Sequence, residues 1–180
     1  AYKSKDIEEM NGHFLMFNKM LTTLDDKLSE KLIKNFHYEL KAGVFEDRAN
    51  GYAIGEYKKR PNMVGGLVVA SPDSVSERMQ ELLYWYNSSK DISLSTLAEL
   101  HARFEYIHPF QDGNGRVGRI ILFRECLNND IVPFIIRNDN RIEYIVSLHE
   151  AQVNGNYAGL TKYFEKEQRE YKTQCDYFDV

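Results

Sequence analysis

The residues best suited to do chemistry lie together in His108-Pro109-Phe110-Gln111-Asp112-Gly113-Asn114-Gly115-Arg116-Val117-Gly118-Arg119. This stretch holds an imidazole, a carboxylate, an amide, two arginines and a Gly-Asn-Gly turn. Gly113, Asn114 and Gly115 turn the chain into a helix. Their backbone N–H groups therefore converge on one concave space, where the helix dipole adds positive charge. Glycine is needed there because a side chain would hold a phosphate off the backbone. Arg116 and Arg119 share a side of the first helical turn and present forked donors to phosphate oxygens. Asp112, at the mouth of the nest, would repel a phosphate unless a cation lay between, which points to Mg2+ bridging the two. His108, with an ordinary pKa near neutrality, is placed to take a proton from an incoming hydroxyl as that oxygen attacks phosphorus. A Gly-Asn-Gly turn or a histidine alone would be weak evidence. No packing role accounts for the whole set.

The flanking chain must supply a scaffold, and its periodicity is helical. Met10, Phe14, Phe17, Met20 (or Leu21) and Leu24 predict the inner stripe of a first helix ended by Asp25, Asp26 and Lys27. Ser29 is the N-cap of a second helix carrying Leu32, Ile33, Phe36 and Leu40, with Gly43 as its stop. Between Phe45 and Ala70 the helical period is lost. The runs 52–58 and 62–64 predict two short strands about a turn at Arg60 and Pro61, with a surface loop as the alternative. Ser74-Val75-Ser76-Glu77 fits a capping box before Met79, Leu82, Leu83 and Tyr86, and a loop follows at 87–91. The next helix, 93–107, buries Leu97, Leu100, Phe104 and Ile107. His101 and Glu105 share another of its faces and read as a surface pair. The segment 116–127 is apolar nearly all round and predicts a buried central helix. Residues 131–136 form a short buried segment, extended or helical. A helix at 141–154 turns Tyr144, Ile145 and Leu148 inward. A last helix carries Leu160, Tyr163 and Phe164, and its charged tail frays from Glu165 onward.

The bulk properties set limits. A chain of 180 residues suits one domain, 1–180, with a real core. The net charge of −4 gives no reason to expect nucleic acid as a partner. The apolar runs 66–70 and 131–136 are far too short to span a bilayer, and no signal peptide is visible. Cys126 and Cys175 make neither a disulfide framework nor a zinc pattern, so a reducing cytoplasm is the expected compartment. The first residue is Ala1, which fits a fragment of a longer protein.

The central stretch resembles the signature of the Fic (filamentation induced by cAMP) family, His-x-Phe-x-Asp/Glu-Gly-Asn-Gly-Arg-x-x-Arg, at every defined position. Glu9 to His13, Gly55 to Lys58, Pro72 to Asn87, Leu100 to Ile107 and Arg141 to Tyr144 are similar to Fic sequence around that motif. The resemblance implies an all-α fold, a helical bundle around a central buried helix, with a short β-hairpin flap near residues 52–66. It implies transfer of AMP from ATP to a Ser, Thr or Tyr hydroxyl of a target protein, possible self-modification included, and leaves an oligomer open. By resemblance His108 is the general base and Phe110 anchors the loop. Asp112 holds Mg2+ against the phosphates, Gly113, Asn114 and Gly115 form the nest, and Arg116 and Arg119 hold the outer phosphates. The flap, about Gly55 to Val64, aligns the target by strand-like pairing, with Met63 or Val64 as a clamp or facing the adenine. Tyr144, Ile145, Leu148 and Gln152 fall where the family lines its adenine pocket.

Two departures bear on function. Many Fic proteins carry an inhibitory Ser/Thr-x-x-x-Glu-Gly/Asn helix whose Glu pairs with the second motif arginine. Ser4 to Glu8 has that outline but continues with Glu9, and Thr161 to Glu165 continues with Lys166. The expectation is a chain without its own brake, removed upstream of Ala1 or supplied by a partner. The sister group that transfers phosphate replaces the glycine at position 113, whereas this chain keeps Gly113 and Gly115. Alternatives are removal of AMP from targets, another nucleotide or phosphate donor, and a nucleotide-binding module without turnover.

Overall fold

Asn114–Asn128 supplies the centre of the molecule because it is apolar on most of its sides. Val117, Ile120, Ile121, Leu122 and Cys126 are all buried, and Arg124 and Glu125 are buried beside them. This computed structural model describes residues 4–178. In chain order they form α1 (Ser4–Thr22), α2 (Glu30–Lys41), α3 (Phe45–Ala49), β1 (Met63–Val64), β2 (Leu67–Val68), α4 (Val75–Ser88), α5 (Leu94–Ile107), α6 (Asn114–Asn128), α7 (Arg141–Asn154) and α8 (Ala158–Phe178). Helical 3-10 turns at Pro72–Ser74 and Asn138–Asn140 lead into α4 and α7. The expected all-α bundle is observed, with α1, α2 and α5 packed against α6 and with α7 and α8 packed on each other and on α5. Among the described residues no helix is long and apolar enough to cross a membrane.

Most of the local signals act as read. Ser29 accepts the Leu32 N–H at 3.2 Å and caps α2. Leu32, Ile33, Phe36 and Leu40 of α2 are buried, as are Met79, Leu82, Leu83 and Tyr86 of α4. Ser93 caps α5 in a capping box with Thr96. By contrast, Ser74 closes no capping box. Its hydroxyl donates to the Ser71 carbonyl at 3.0 Å, because a 3-10 turn precedes α4 and rotates the side chain away from the first helical N–H groups.

The phase of α1 differs from the apolar count. Met10 and Phe14 are 54 % and 60 % exposed, whereas Gly12, Met16 and Met20 are buried. Phe17 and Leu24 are only partly buried against the core. The inner row is an i, i+4 row begun by a glycine. Gly12 lets α1 and α2 approach so closely that a Cβ there would overlap the Leu40 backbone carbonyl.

The hairpin lies later in the chain than the pattern placed it. Residues 52–58 form no strand; β1 and β2 pair antiparallel with Met63 opposite Val68 and Val64 opposite Leu67. Gly65 and Gly66, with φ of 54° and 80°, make the tight turn, which suits the twist of a two-residue hairpin. The short helix α3, unmarked by any period, interrupts the supposed loop. Residues 131–136 take neither helix nor strand, and only Phe134 among them is buried. On α7, Tyr144 is buried but Ile145 is half exposed. Beyond Glu165 α8 does not fray, because its charges find partners. Arg137 Nε reaches Glu167 at 3.0 Å, Lys166 reaches Glu143 at 2.7 Å, and Gln168 donates to the Val132 carbonyl at 2.7 Å.

Gly12→Ala should lower stability by about 1–3 kcal/mol, the usual range for overpacking against backbone that cannot yield. Urea unfolding followed by circular dichroism measures it, and an unchanged midpoint would contradict this account of the α1–α2 contact.

Candidate active site

Helix α5 ends at Ile107, and His108 caps it in the left-handed region with φ 51° and ψ 61°. That turn throws the chain into the loop 109–113, which enters α6 through Gly113 with φ 86°. Gly113 has no side chain to cap the first turn of α6, so the leading N–H groups remain available to an anion. A Cβ at Gly113 would also lie 3.1 Å from Leu40 Cδ2. The position therefore needs glycine for both its backbone and its neighbour.

The loop is closed from inside by Asn114. Its Oδ1 accepts the Phe110 N–H at 2.7 Å and its Nδ2 donates to the Phe110 carbonyl at 2.8 Å. The Asn114 side chain is thus a latch, and its backbone is left to line the nest. Phe110 is fully buried and stacks on His37 with centroids 4.0 Å apart and rings 5° from parallel. His37 accepts the Gly55 N–H at Nδ1, 2.9 Å away, so its proton is on Nε2, which donates to the Asp112 carbonyl at 2.9 Å. Burial pushes its pKa down to about 4, against the pull of the Asp112 carbonyl, and the ring stays neutral.

His108 is oriented by the same logic. Its Nδ1–H donates to the Glu105 carbonyl at 3.3 Å, which leaves the lone pair on Nε2. Burial lowers its pKa to about 4, and nearby Lys58 adds to this, so it is unprotonated at neutral pH. Lys58 is itself buried. It anchors the root of the hairpin through its N–H to the Pro109 carbonyl at 2.8 Å and its ammonium to Asn62 Oδ1 at 2.7 Å. Asn62 in turn donates to the Phe110 carbonyl at 3.0 Å.

Asp112 is held by cations. Lys41 Nζ lies 2.5 Å and Arg116 Nη2 3.3 Å from its Oδ2. Burial alone would raise its pKa. The Lys41 hydrogen bond and charge, with Gly113 and Arg116, outweigh that and hold it below the usual carboxylate range. The carboxylate is still 45 % exposed. An ionised, hard, half-exposed oxygen donor beside an open helix N-terminus fits a magnesium ion shared with phosphates.

Arg116 also pairs with Glu9 at 2.9 Å. Arg119 is exposed and has no ion-pair partner among the described residues. Glu8 is engaged elsewhere, accepting from the Phe45 N–H at 3.0 Å. A cleft of about 180 Å3 opens beside the arginines, between His13 and Phe17 of α1, Ile120 and Phe123 of α6, and 134–136. Tyr144, Ile145, Leu148 and Gln152 do not line this cleft. Val64, on the hairpin, is 37 % exposed.

Sequence reasoning missed the support beneath the loop: it gave Lys41, His37 and Asp47 no role, and Lys58 only a place in a strand and in the family likeness. It also misread His101 and Glu105, which are buried rather than a surface pair. His101 Nε2 is hydrogen bonded to the Tyr144 hydroxyl at 2.8 Å. Glu105 lies under Gly118, where a Cβ would overlap Oε1, and that oxygen has no hydrogen-bond partner. The missing Cβ at 118 was the one available signal that α5 and α6 touch there.

The Fic/DOC family profile matches residues 27–125, more than half of the chain. The chain belongs to the Fic/DOC family. It is 30 % identical over 121 residues to protein adenylyltransferase fic-1 of Caenorhabditis elegans, which covers 66 % of this chain and 24 % of that protein. It is 29 % identical over 143 residues to a probable protein adenylyltransferase of Aquifex aeolicus, covering 77 % of this chain and 42 % of the other. The chain thus spans less than half the length of these relatives. The fold is similar to a solved structure of Caenorhabditis elegans Fic-1, with TM-score 0.82, 22 % identity, and coverage of 97 % of this chain and 52 % of that one.

The buried Fic-domain carboxylate Glu105 generates a pH dependence. Burial raises its pKa from 4.5 to about 7, with Arg119 pulling the other way. A folded-state pKa above the unfolded one means a stability contribution complete below about pH 4.5 and lost as pH rises through 7. Glu105→Gln should remove that component. Urea unfolding of both proteins from pH 5 to 8 should give a stability difference that shifts in favour of the variant as pH rises, and parallel curves would contradict it.

Proposed function

We propose that this Fic domain transfers AMP from ATP to a hydroxyl side chain of a protein. The observation that carries the reading is the hydrogen bond between His108 Nδ1 and the Glu105 carbonyl. With Nδ1–H fixed on the Glu105 carbonyl, Nε2 offers a lone pair at the edge of an uncapped helix N-terminus. The target hydroxyl loses its proton to Nε2 as its oxygen bonds to the α-phosphorus. The bond from that phosphorus to the bridging oxygen breaks, and pyrophosphate departs. The α6 N–H groups and Arg116 stabilise the phosphate charge, and Arg119, without an ion-pair partner among the described residues, is open to the outer phosphates. Asp112 would hold Mg2+, which neutralises phosphate charge when bound. The adenylyltransferase names of the relatives support this donor and this reaction class.

The hairpin supplies the acceptor side. Met63 and Val68 are 72 % and 79 % exposed, and a two-stranded ribbon leaves main-chain groups on its edge for an extended target segment. The Lys58 and Asn62 bonds fix the root of that ribbon relative to the catalytic loop. The adenine we place between Val64 of the hairpin and Ile145, Leu148 and Gln152 of α7. Tyr144, bonded to His101, backs that wall.

Purified protein given ATP labelled in the α-phosphate, with Mg2+, should label itself or an added target, and His108→Ala should lower the rate by about 10²–10⁴-fold. Label arriving only from the γ-phosphate would overturn the reading. Because His108 is depressed to about 4, kcat/KM should hold from neutral pH downward and fall on an acid limb centred near 4. A limb centred near 6.5 would show that His108 is not the base in the state described.

A further inference from the structure

Lys41 is buried to 1 % exposure, and its ammonium sits at the centre of three carboxylates. Asp112 Oδ2 and Asp47 Oδ2 are each 2.5 Å away, and Glu9 Oε1 is 3.1 Å away. The carboxylates come from three places: α1, α3 and the catalytic loop. They offer ligand atoms that all lie within 4.8 Å of one another. Such a cup of hard oxygens has the donor set that flexible divalent-ion sites use. Here a protein-borne cation fills it. Burial disfavours a charged lysine, yet Asp112, Asp47 and Glu9 together hold Lys41 in its ammonium form. Lys41 and Arg116 both engage Oδ2 of Asp112. That oxygen is committed to the protein, while the carboxylate as a whole keeps 45 % exposure.

We propose that Lys41 is a positioning residue for Asp112. It fixes the carboxylate in the loop and keeps divalent ions out of the Glu9–Asp47–Asp112 cup, so Asp112 meets its metal only together with nucleotide phosphates. The nucleotide half of this rests on the AMP-transfer reading; the exclusion from the cup does not. The physical reason is charge and geometry. Without Lys41, three carboxylates with ligand atoms within 4.8 Å of one another keep only the flanking charges of Arg116, on Glu9 and Asp112, and Lys5, 3.8 Å from Asp47, so a divalent ion that enters relieves their remaining repulsion. An ion seated in the cup would be a resident of the protein, with Asp112 turned toward Glu9 and Asp47 rather than toward the nest. A monovalent ammonium on a buried stem relieves part of that repulsion without offering a coordination sphere to phosphate.

The test uses the whole chain with Mn2+ and Ca2+ as probes and no nucleotide. Lys41→Met should start less stable than wild type and regain thermal stability on addition of either ion. Calorimetry should read one site, lost again in the Lys41→Met, Asp47→Asn double variant. Wild type should show neither the thermal gain nor the site, and should take up Mn2+ only when a non-hydrolysable ATP analogue is present. A Lys41→Met variant that folds but binds no ion overturns the proposal. Should that variant not fold, wild type decides alone: Mn2+ binding without nucleotide that Asp47→Asn abolishes would show that Lys41 excludes nothing. With transfer of label as the readout, the half-saturating Mg2+ concentration should rise in Lys41→Met. Absence of transfer in wild type, with the ion site still gained in the variant, would refute the AMP-transfer reading and leave the role of Lys41 in the cup standing.

Discussion

The site depends on the two hydrogen bonds by which Asn114 closes the loop that begins at Phe110. A loop that binds an anion through its backbone must leave several N–H groups without internal acceptors, and such a loop has little to hold its own shape. Asn114 resolves the conflict by satisfying both polar groups of Phe110 with one side chain. Its own backbone N–H is left at the leading edge of α6, and the Phe110 ring is delivered into the core. Because the amide is buried, loss of either bond would leave a desolvated partner, which typically costs about 1–3 kcal/mol. The latch therefore fixes the loop more firmly than its two bonds would in water.

Helix α2 carries the latch from below. His37 and Lys41, one turn apart, reach the carbonyl and the carboxylate of the same residue, Asp112. They act by different physics. His37 is a neutral spacer whose tautomer is set by the Gly55 N–H, so it joins the hairpin root, the loop and the Phe110 ring in one stack. Lys41 is a buried charge, and a buried charge is tolerable only with its full set of partners. Glu9 of α1 and Asp47 of α3 complete that set, which ties the packing of α1 and α3 to the orientation of the Asp112 carboxylate.

A second buried polar system secures α6 at its far end. Arg124, with no exposed surface, donates to the carbonyls of Thr23 at 2.6 Å and Leu24 at 3.1 Å and pairs with Glu125. Glu125 accepts the Tyr86 hydroxyl at 2.6 Å. One arginine thus binds the carbonyls of the turn that follows α1 and, through Glu125 and Tyr86, links that turn to α6 and α4. Helix α6, whose N-terminus closes the motif loop, cannot shift without breaking these bonds, so it is held at both ends.

The sequence by itself determined the class of fold and brought together the residues from which the chemistry is proposed. His108, Asp112, Gly113 and the two arginines occur within a few residues of one another, so local geometry alone brings them to one loop and one helical turn. The helices α2, α4 and α5 were legible because each buries an apolar stripe of ordinary period, and α6 because it is apolar nearly all round. What only the tertiary structure decided is everything carried by a residue that has no period: the glycine that lets α1 meet α2, the paired glycines that place the hairpin turn, and the buried polar side chains. Lys41, His37, Glu105 and Arg124 look like surface residues in a sequence, since burial of a charge follows from partners supplied by remote segments. Asp112 shows the division most plainly. Its presence in the motif announces a metal-binding carboxylate. The oxygen it keeps for the protein is set by a lysine 71 positions away, because Coulomb attraction at short range depends on proximity in space and not along the chain.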